Sequence, residues 1–346
     1  MKDIDLTGKT VLITGVGGFI GAHLASCLLE TVPGIVIVGL DNVNDYYDVS
    51  LKEYRLRRFD AQKRFIFFRG DIADDGLLEK LFAQYRPHVV VHLAAQAGVR
   101  YSITHPDAYI STNLVGFYRV LEACRHCPVE HLVYASSSSV YGLNENVPYG
   151  TQDKTDRPVS LYAATKKSNE LMAHAYSKLY DIPCTGLRFF TVYGPAGRPD
   201  MAYFSFTDKM IRGEPVQLFH YGDMKRDFTY IDDAVESVMR ILRRAPEPDA
   251  NQVSSRIYNI GNQHPETLLD FVNTLEICLL QEGLISQPVE KQLLPMQPGD
   301  VYQTYADVSD LVRDFGFRPS TSLKTGLQRF AAWYRTYYFG SERTTI

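Results

Sequence analysis

The sequence predicts an α/β protein built on a doubly wound parallel sheet, with a smaller α/β lobe interleaved into it. Three observations support this. Short apolar, β-branched runs alternate with helical segments as far as about residue 190. The first run leads directly into a glycine-rich turn, and loops become frequent beyond residue 190. We therefore expect a first domain over residues 1–190, with returning segments at about 226–262, and a second, interleaved lobe over 191–346.

Composition excludes several classes of protein. The net charge is -4 and no long basic run is present, so a nucleic-acid partner is not expected, and Arg55–Arg58 is interpreted as a solvated helix face. Five scattered cysteines favour a reducing compartment. Cys124 and Cys127 form a lone CxxC without the second pair that a zinc site needs, so no metal is expected. Since neither a signal peptide nor a membrane span is recognisable, we expect a cytoplasmic protein.

The first predicted strand, Lys9–Thr14, is short, apolar and β-branched, as buried parallel strands are. Gly15, Gly18 and Gly21 follow as a GxxGxxG turn that opens a helix over His23–Glu30. Glycines at such a turn allow the backbone to approach a diphosphate at the helix N-terminus. The segment therefore predicts a dinucleotide site in a Rossmann-type domain.

Two acidic residues at strand ends extend this site. The strand Gly34–Leu40 ends in Asp41, about twenty residues beyond the last glycine, where an acid binds the ribose diol of a dinucleotide. Asn42–Asn44 supplies no Arg or Lys for a 2′-phosphate, which favours NAD over NADP. The next strand, Arg64–Arg69, leads to Asp71, which we expect to hydrogen-bond the adenine amino group.

A helix over Gly76–Tyr85 and a buried strand over Pro87–Ala95 come next. The alanines at the end of this strand leave room for a cofactor. His92 lies inside the apolar run and is interpreted as a core histidine rather than a ligand. Arg100, in the following loop, either faces substrate phosphates or occupies the surface.

The helix Asn113–Ala123 has apolar residues at helical spacing, explained by core packing or by a subunit contact. The strand His131–Ala135 then ends in four serines, Ser136–Ser139. Ligands of doubly wound sheets bind at the carboxyl ends of strands, so these serines are predicted to face a ligand.

Tyr162 and Lys166 lie four residues apart on one face of a predicted helix. An ammonium near the phenol favours phenolate and lowers the tyrosine pKa, which would make Tyr162 a general base near neutral pH. The strand Ile182–Phe190 follows. Beyond it, Lys225–Ile231 and Ile257–Gly261 return as short strands, which predicts the interleaving of the two lobes.

On these residues the sequence resembles the extended short-chain dehydrogenase/reductase superfamily over nearly its whole length. Within it, the sequence is most similar to the NAD-dependent sugar epimerases of the UDP-glucuronate 4-epimerase family. The shared patterns lie at Thr14–Gly21, His92–Arg100, Ser136–Gly142, Tyr162–Lys166, Arg188–Pro195, Gly197–Met201 and Lys225–Asp233.

The resemblance implies tightly held NAD, a UDP-sugar substrate and a homodimer built on the Asn113–Ala123 helix and the helix after Leu161. Tyr162 would be the catalytic base, Lys166 would bind the nicotinamide ribose and lower the tyrosine pKa, and Ser137 would bond the reacting hydroxyl. The implied cofactor-binding residues are Gly15, Gly18, Phe19, Ile20, Gly21, Asp41, Asn42, Asp71, Ile72, Leu93, Ala94, Ala95, Tyr162, Lys166 and Phe190. The implied substrate-binding residues are Arg100, Ser138, Ser139, Thr191, Arg198, Arg226 and Asp300.

The implied reaction is C4 epimerisation of UDP-glucuronate to UDP-galacturonate through a transient 4-keto sugar, in the supply of a surface polysaccharide. Thr191, which replaces an Asn of many relatives acting on neutral hexoses, and Arg198 would hold the sugar carboxylate. The alternatives are 4-epimerisation of a neutral UDP-hexose or UDP-N-acetylhexosamine, and decarboxylation of UDP-glucuronate. Related decarboxylases place an acid where Ser138 and Ser139 stand. A non-catalytic NAD-binding protein is disfavoured by the intact Tyr162 and Lys166.

Overall fold

The computed structural model describes residues 1–295 and 302–340, and its centre is a seven-stranded parallel sheet. In chain order the seven strands are Thr10–Thr14, Val36–Asp41, Phe65–Arg69, Val89–His92, His131–Ser137, Cys184–Phe189 and Ser255–Ile260. Across the sheet their order is third, second, first, fourth, fifth, sixth, seventh. The order reverses beside the first strand, as in doubly wound dinucleotide-binding sheets, so the predicted fold class is confirmed.

Strand register brings the predicted site residues to one edge of this sheet. Thr14 pairs with Leu40, so that the glycine turn and Asp41 emerge side by side. Ser137 pairs with Phe189 in the same way. The central strands are buried along nearly their whole length because helices cover both faces, which explains their continuous apolar sequences.

The helices of the first 190 residues differ from the predicted ones mainly at their ends. Their bounds are Phe19–Thr31, Val49–Arg57, Leu77–Tyr85, Tyr101–Thr104, Pro106–Tyr109, Phe117–His126 and Leu161–Tyr180, with a 3₁₀ turn at Ser138–Tyr141. The segment predicted as one helix from Asn113 is a π-helix over Ile110–Gly116 that continues into the α-helix starting at Phe117. In the part of the chain that the structure describes, no helix is both long and apolar enough to cross a bilayer.

The second lobe is built around the strand Lys225–Tyr230. This strand pairs in parallel with Thr191–Tyr193 and Gln303–Thr304, and antiparallel with Pro265–Thr267. Smaller pairs are Val216–Leu218 with Lys291–Leu293 and Lys2–Asp3 with Arg244–Ala245. The remaining helices are Ala202–Ile211, Ile231–Leu242, Leu268–Gln281, Ser309–Phe315 and Leu323–Phe339, with a 3₁₀ turn at Phe219–Gly222. Since Ser255–Ile260 returns to the main sheet, the chain crosses between the lobes more than once.

The prediction that Arg55–Arg58 forms a solvated helix face is wrong for its first residue. Arg57 and Arg58 are exposed, but Arg55 is fully buried. In the helix Val49–Arg57, the side chain of Arg55 points inward and contacts loops from both lobes. Its basic residues look alike in sequence, and only these distant contacts distinguish Arg55 from its neighbours.

Candidate active site

A cavity of about 590 Å³ opens at the carboxyl edge of the main sheet, between the two lobes. The predicted catalytic residues Tyr162, Lys166 and Ser137 line it. The predicted cofactor-binding residues that line it are Gly15, Gly18, Phe19, Ile20, Gly21, Asp41, Asn42, Asp71, Ile72, Leu93, Ala94, Ala95 and Phe190. The predicted substrate-binding residues that line it are Ser138, Ser139, Thr191 and Arg198.

The glycine turn is shaped so that side chains are excluded from it. Gly15 has φ +75°, and a Cβ there would lie 2.6 Å from the Ala94 backbone nitrogen. A Cβ at Gly21 would lie 2.3 Å from the Gly15 carbonyl oxygen. The Asp41 carboxylate accepts a hydrogen bond of 2.9 Å from the Gly17 N–H, which ties the turn to the end of the second strand. The turn therefore exposes backbone at a helix N-terminus, as a diphosphate requires.

The end of the cavity around Asp71 combines amide, carboxylate and ammonium groups. Asp71 accepts a hydrogen bond of 2.7 Å from the Asn42 side chain. Lys52 also lines this end, and its ammonium donates to the Asn44 carbonyl at 2.7 Å. Burial lowers the Lys52 pKa, while Asp41 acts in the opposite direction. Lys52 was missed because it belongs to the next helix and not to the strand end.

Tyr162 and Lys166 occupy the first turns of the helix Leu161–Tyr180. Ser160 caps this helix by accepting a hydrogen bond of 3.1 Å from the Ala163 N–H. The Lys166 ammonium donates to the Ala135 carbonyl at 2.9 Å, at the end of the serine strand. Burial lowers the pKa of Lys166 to about 8. Lys166 is therefore anchored in the wall of the cavity.

The surroundings of Tyr162 shift its pKa in opposite directions. Burial raises the Tyr162 pKa and Asp200 adds to this, whereas hydrogen bonding to Ser137 and the charge of Arg198 lower it without cancelling the effect of burial. That Lys166 lowers the tyrosine pKa stays a prediction.

The serine strand directs alternate side chains to opposite sides, as a β-strand must. Ser136 donates to a Glu170 carboxylate oxygen at 2.7 Å, away from Tyr162. Interaction with the Ser137 hydroxyl lowers the Tyr162 pKa. Ser139 donates its hydroxyl proton to the Ser137 oxygen at 2.9 Å. Ser139 therefore orients the hydroxyl that acts on Tyr162.

A buried ion pair supports this arrangement from behind. Arg188 contacts Glu170 through two parallel hydrogen bonds of 2.8 and 2.9 Å. Glu170 lies one turn after Lys166, and Arg188 lies on the strand next to the serine strand. Since Ser136 bonds the same carboxylate, the pair joins the helix and both strands. Sequence reasoning missed it because the three residues share no local pattern.

Arg198 reaches the cavity from the second lobe and is oriented by Asp200. Its Nε donates to Asp200 Oδ1 at 3.0 Å, and its Nη2 donates to the other carboxylate oxygen. Tyr46 donates to the same carboxylate at 3.0 Å. Burial raises the pKa of Asp200, but Arg198, together with the hydrogen bond from Tyr46, lowers it overall. The guanidinium is thus held near Tyr162, whose pKa it lowers.

Two of the predicted substrate residues that the structure describes, Arg100 and Arg226, are not among the residues that line the cavity. Arg100 is exposed and is not among the lining residues. Arg226 also lies outside the lining and donates to the Tyr302 carbonyl at 3.2 Å, although its charge acts on Tyr149, which lines the cavity. Asp300 lies outside the described residues. Further lining residues that sequence reasoning missed are Tyr46, Tyr47, Lys52, Gln96, Gly98, Thr112, Tyr149, Met201 and Thr304.

Known proteins resemble this chain over both lobes. The sequence model of the NAD dependent epimerase/dehydratase family matches residues 11–261. Protein CapI of Staphylococcus aureus is 48% identical over 339 residues, 95% of this chain and 99% of that protein. UDP-glucuronate 4-epimerase 4 of Arabidopsis thaliana is 45% identical over 348 residues, 97% of this chain and 77% of that protein. The crystal structure of UDP-glucuronic acid 4-epimerase from Bacillus cereus in complex with UDP-glucuronic acid and NAD is similar with a TM-score of 0.83 at 33% identity, covering 95% of this chain and 100% of that one.

Proposed function

The chain belongs to the NAD dependent epimerase/dehydratase family, and on that premise we propose that it is an isomerase that converts UDP-glucuronate to UDP-galacturonate. The observation that carries the proposal is that Tyr162 and Arg198 meet in one cavity, a candidate base beside a cation suited to a sugar carboxylate. Relatives named UDP-glucuronate 4-epimerase, and the Bacillus cereus structure with UDP-glucuronic acid and NAD, support it.

The cavity fits NAD as the cofactor. At Gly15 and Gly21 any side chain would collide with neighbouring backbone, which supports a diphosphate lying against this turn. Asp41 would bind the adenosine ribose, Asp71 would bind the adenine, and Lys166 would bind the nicotinamide ribose. NAD, when bound, supplies a temporary acceptor for the hydride at C4 of the sugar. The segment 1–190 with its returning strand would serve as the NAD-binding domain.

Tyr162 would act as the general base on the sugar 4-hydroxyl. Ser137, which Ser139 orients and which lowers the Tyr162 pKa, supports this role, because a hydrogen bond donated to the phenol oxygen stabilises phenolate. Ser137 would also contact the reacting hydroxyl. After the resulting 4-keto sugar has turned its other face toward the cofactor, Tyr162 would return the proton, and inversion at C4 would result.

Specificity for an acid sugar would come from the second lobe. Asp200 accepts hydrogen bonds from Nε and Nη2 of Arg198 and leaves Nη1 as the donor for a substrate carboxylate. Thr191 lines the same wall and adds a hydroxyl. Firm contacts to the carboxylate matter chemically, because the 4-keto intermediate is a β-keto acid that loses carbon dioxide if the carboxylate rotates freely. Arg226 and Asp300 would bind the diphosphate and uridine end, whereas the exposed Arg100 is left out of the proposal.

We also propose a homodimer in a reducing, cytoplasmic environment. Apolar side chains are exposed on two neighbouring helices, with Val115 and Tyr118 on one and Leu171 and Leu179 on the other. Contiguous exposed apolar surface of this kind favours association. All five cysteines are free thiols, which supports a reducing compartment.

The proposal is tested by incubating the purified protein with UDP-glucuronate, without added NAD, and following the anomeric signals by proton NMR. We expect UDP-galacturonate as the product, and no turnover by Tyr162→Phe, which should still carry NAD. A pentose product would instead indicate decarboxylation. Conversion of neutral UDP-hexoses with none of UDP-glucuronate would favour the alternative substrate class.

A further inference from the structure

Arg55 is a fully buried cation at the end of the helix Val49–Arg57. An arginine stays charged in proteins, and a buried charge is costly unless other groups compensate it. Among the residues that the structure describes, no carboxylate forms an ion pair with Arg55. Its compensation must therefore come from neutral acceptors, and their positions indicate what the residue does.

The acceptors of Arg55 come from two distant parts of the chain. Nη1 donates to the Gly17 carbonyl at 3.1 Å and to the Tyr47 hydroxyl at 2.7 Å. Nε donates to the Ala196 carbonyl at 2.8 Å, and Nη2 donates to the Gly197 carbonyl at 2.7 Å. The guanidinium therefore joins the glycine turn of the cofactor site to the loop that immediately precedes Arg198.

The loop on the substrate side needs such support. Ala196 has φ +52°, a left-handed backbone conformation that is strained for a non-glycine residue. A Cβ at Gly197 would lie 1.7 Å from the Tyr203 hydroxyl oxygen, so the backbone is pressed against that side chain. Strained backbone persists only where the surroundings hold it. Arg55 supplies two hydrogen bonds to these two residues.

We infer that Arg55 is a positioning residue that directs Arg198 toward the sugar carboxylate by holding Ala196 and Gly197 against the cofactor turn. The inference rests on the proposed function of Arg198. A planar guanidinium reaches its acceptors in fixed directions, whereas a lysine ammonium is a point charge on a flexible stem. Arg55→Lys should therefore retain the buried charge and lose the geometry of the loop.

The test compares the affinities of the NAD-loaded protein for UDP-glucuronate and for UDP by calorimetry. For Arg55→Lys we expect about a tenfold loss of affinity for UDP-glucuronate, because misplacement of a binding group by about 1 Å carries a penalty of this order or larger. The affinity for UDP should stay within about twofold. Arg57→Lys, an exposed arginine on the same helix, is the matched control and should change neither affinity.

A double-mutant cycle shows whether Arg55 acts through Arg198. The relevant quantity is the affinity for UDP-glucuronate divided by the affinity for UDP. In an Arg198→Ala background, Arg55→Lys should leave this ratio unchanged, since the contact between Arg198 and the sugar carboxylate is already lost. Equal losses for UDP and UDP-glucuronate, or losses that add to those of Arg198→Ala, would overturn the inference and indicate a role in folding alone. If Arg55→Lys does not fold, Tyr47→Phe takes its place, because it removes the hydroxyl that accepts a hydrogen bond from Arg55. This variant should lower the same ratio by a smaller factor. An unchanged ratio would overturn the inference.

Failure of the inference and failure of the proposed function are distinguishable in this design. If Arg198→Ala lowers the ratio and the Arg55 variant does not, only the inference fails. If Arg198→Ala leaves the ratio unchanged, the proposed carboxylate contact fails, and the inference fails with it.

Discussion

Tyr162 illustrates how, at the scale of one residue, burial opposes the chemistry proposed for it. Burial raises the pKa of Tyr162, and the groups that lower this pKa are Ser137 and Arg198. Both lie outside its helix. The charge state of the phenol therefore depends on contacts that hold the serine strand and the second lobe in place.

Ser137→Ala should shift the pH dependence of catalysis. Without the hydrogen bond from Ser137 the pKa of Tyr162 rises, so the acidic limb of the kcat/KM profile should move to higher pH. At neutral pH we expect activity to fall about tenfold or more, because hydrogen bonds to charged groups contribute about 1.5 to 3 kcal/mol. At high pH the variant should recover the part of the loss that comes from the shifted limb and keep the part that comes from the missing contact with the reacting hydroxyl. An acidic limb that stays in place would contradict the effect of Ser137 on the Tyr162 pKa.

Local patterns predict single residues well when one segment carries the whole interaction. The glycine turn, Asp41, Ser137, Tyr162 and Lys166 were all identified this way, and all of them line one cavity. The burial of Arg55 and the place of Tyr46 in the cavity wall were not predicted. Arg55 contacts a residue 141 positions away, and Tyr46 contacts one 154 positions away. No spacing rule reports such pairs.

The turn between the first strand and its helix is the element on which cofactor binding depends. Gly15 combines φ +75° with contacts to Leu93 and Ala94 that leave no room for a Cβ. Its conformation and its surroundings both exclude a side chain. The sequence predicted that the backbone can approach a diphosphate closely here. In the structure, the residues just after the fourth strand leave no room for a side chain at Gly15.

Gly15→Ala should yield a protein that purifies with little NAD. Its Cβ would lie 2.6 Å from the Ala94 nitrogen, so the turn must move. Gly76→Ala is the matched control, since Gly76 has φ +71° with nothing within 4 Å of the added Cβ. The control should lose only about 1 to 2 kcal/mol of stability to backbone strain. A full complement of NAD in Gly15→Ala, measured by absorbance after denaturation, would contradict a diphosphate site at this turn.

At the scale of the whole molecule, the alternation of strands and helices was sufficient to predict the doubly wound sheet. The sequence also predicted a returning strand at Ile257–Gly261, and the strand Ser255–Ile260 lies beside Cys184–Phe189 in the main sheet after several elements of the second lobe. This return and the Arg55 contacts join the two lobes. Cooperative unfolding of both lobes is the consequence we expect.

Buried histidines should make the protein sensitive to acid. Burial lowers the pKa values of His92 and His131 to about 3 and that of His23 to about 4, against about 6.5 in an unfolded chain. Between these values the unfolded chain binds more protons, so the free energy of unfolding should fall as pH drops from about 6.5 to 4.

His131→Gln should reduce that slope by about one proton, or about 1.4 kcal/mol per pH unit. Denaturant titrations across this pH range measure it. The same substitution at the exposed His174 is the control for the effect of the substitution itself. An unchanged slope in His131→Gln would show that this histidine does not contribute to acid sensitivity.

In the proposed reaction C4 of UDP-glucuronate would be oxidised and reduced again inside this cavity, and NAD, when bound, would supply the acceptor for the hydride. The most direct measurement is to incubate the purified protein with UDP-glucuronate deuterated at C4, without added NAD, and to examine the product by NMR and mass spectrometry. We expect UDP-galacturonate that keeps the deuterium at C4. Product that has exchanged this deuterium for solvent hydrogen, or loss of carbon dioxide in place of epimerisation, would contradict it.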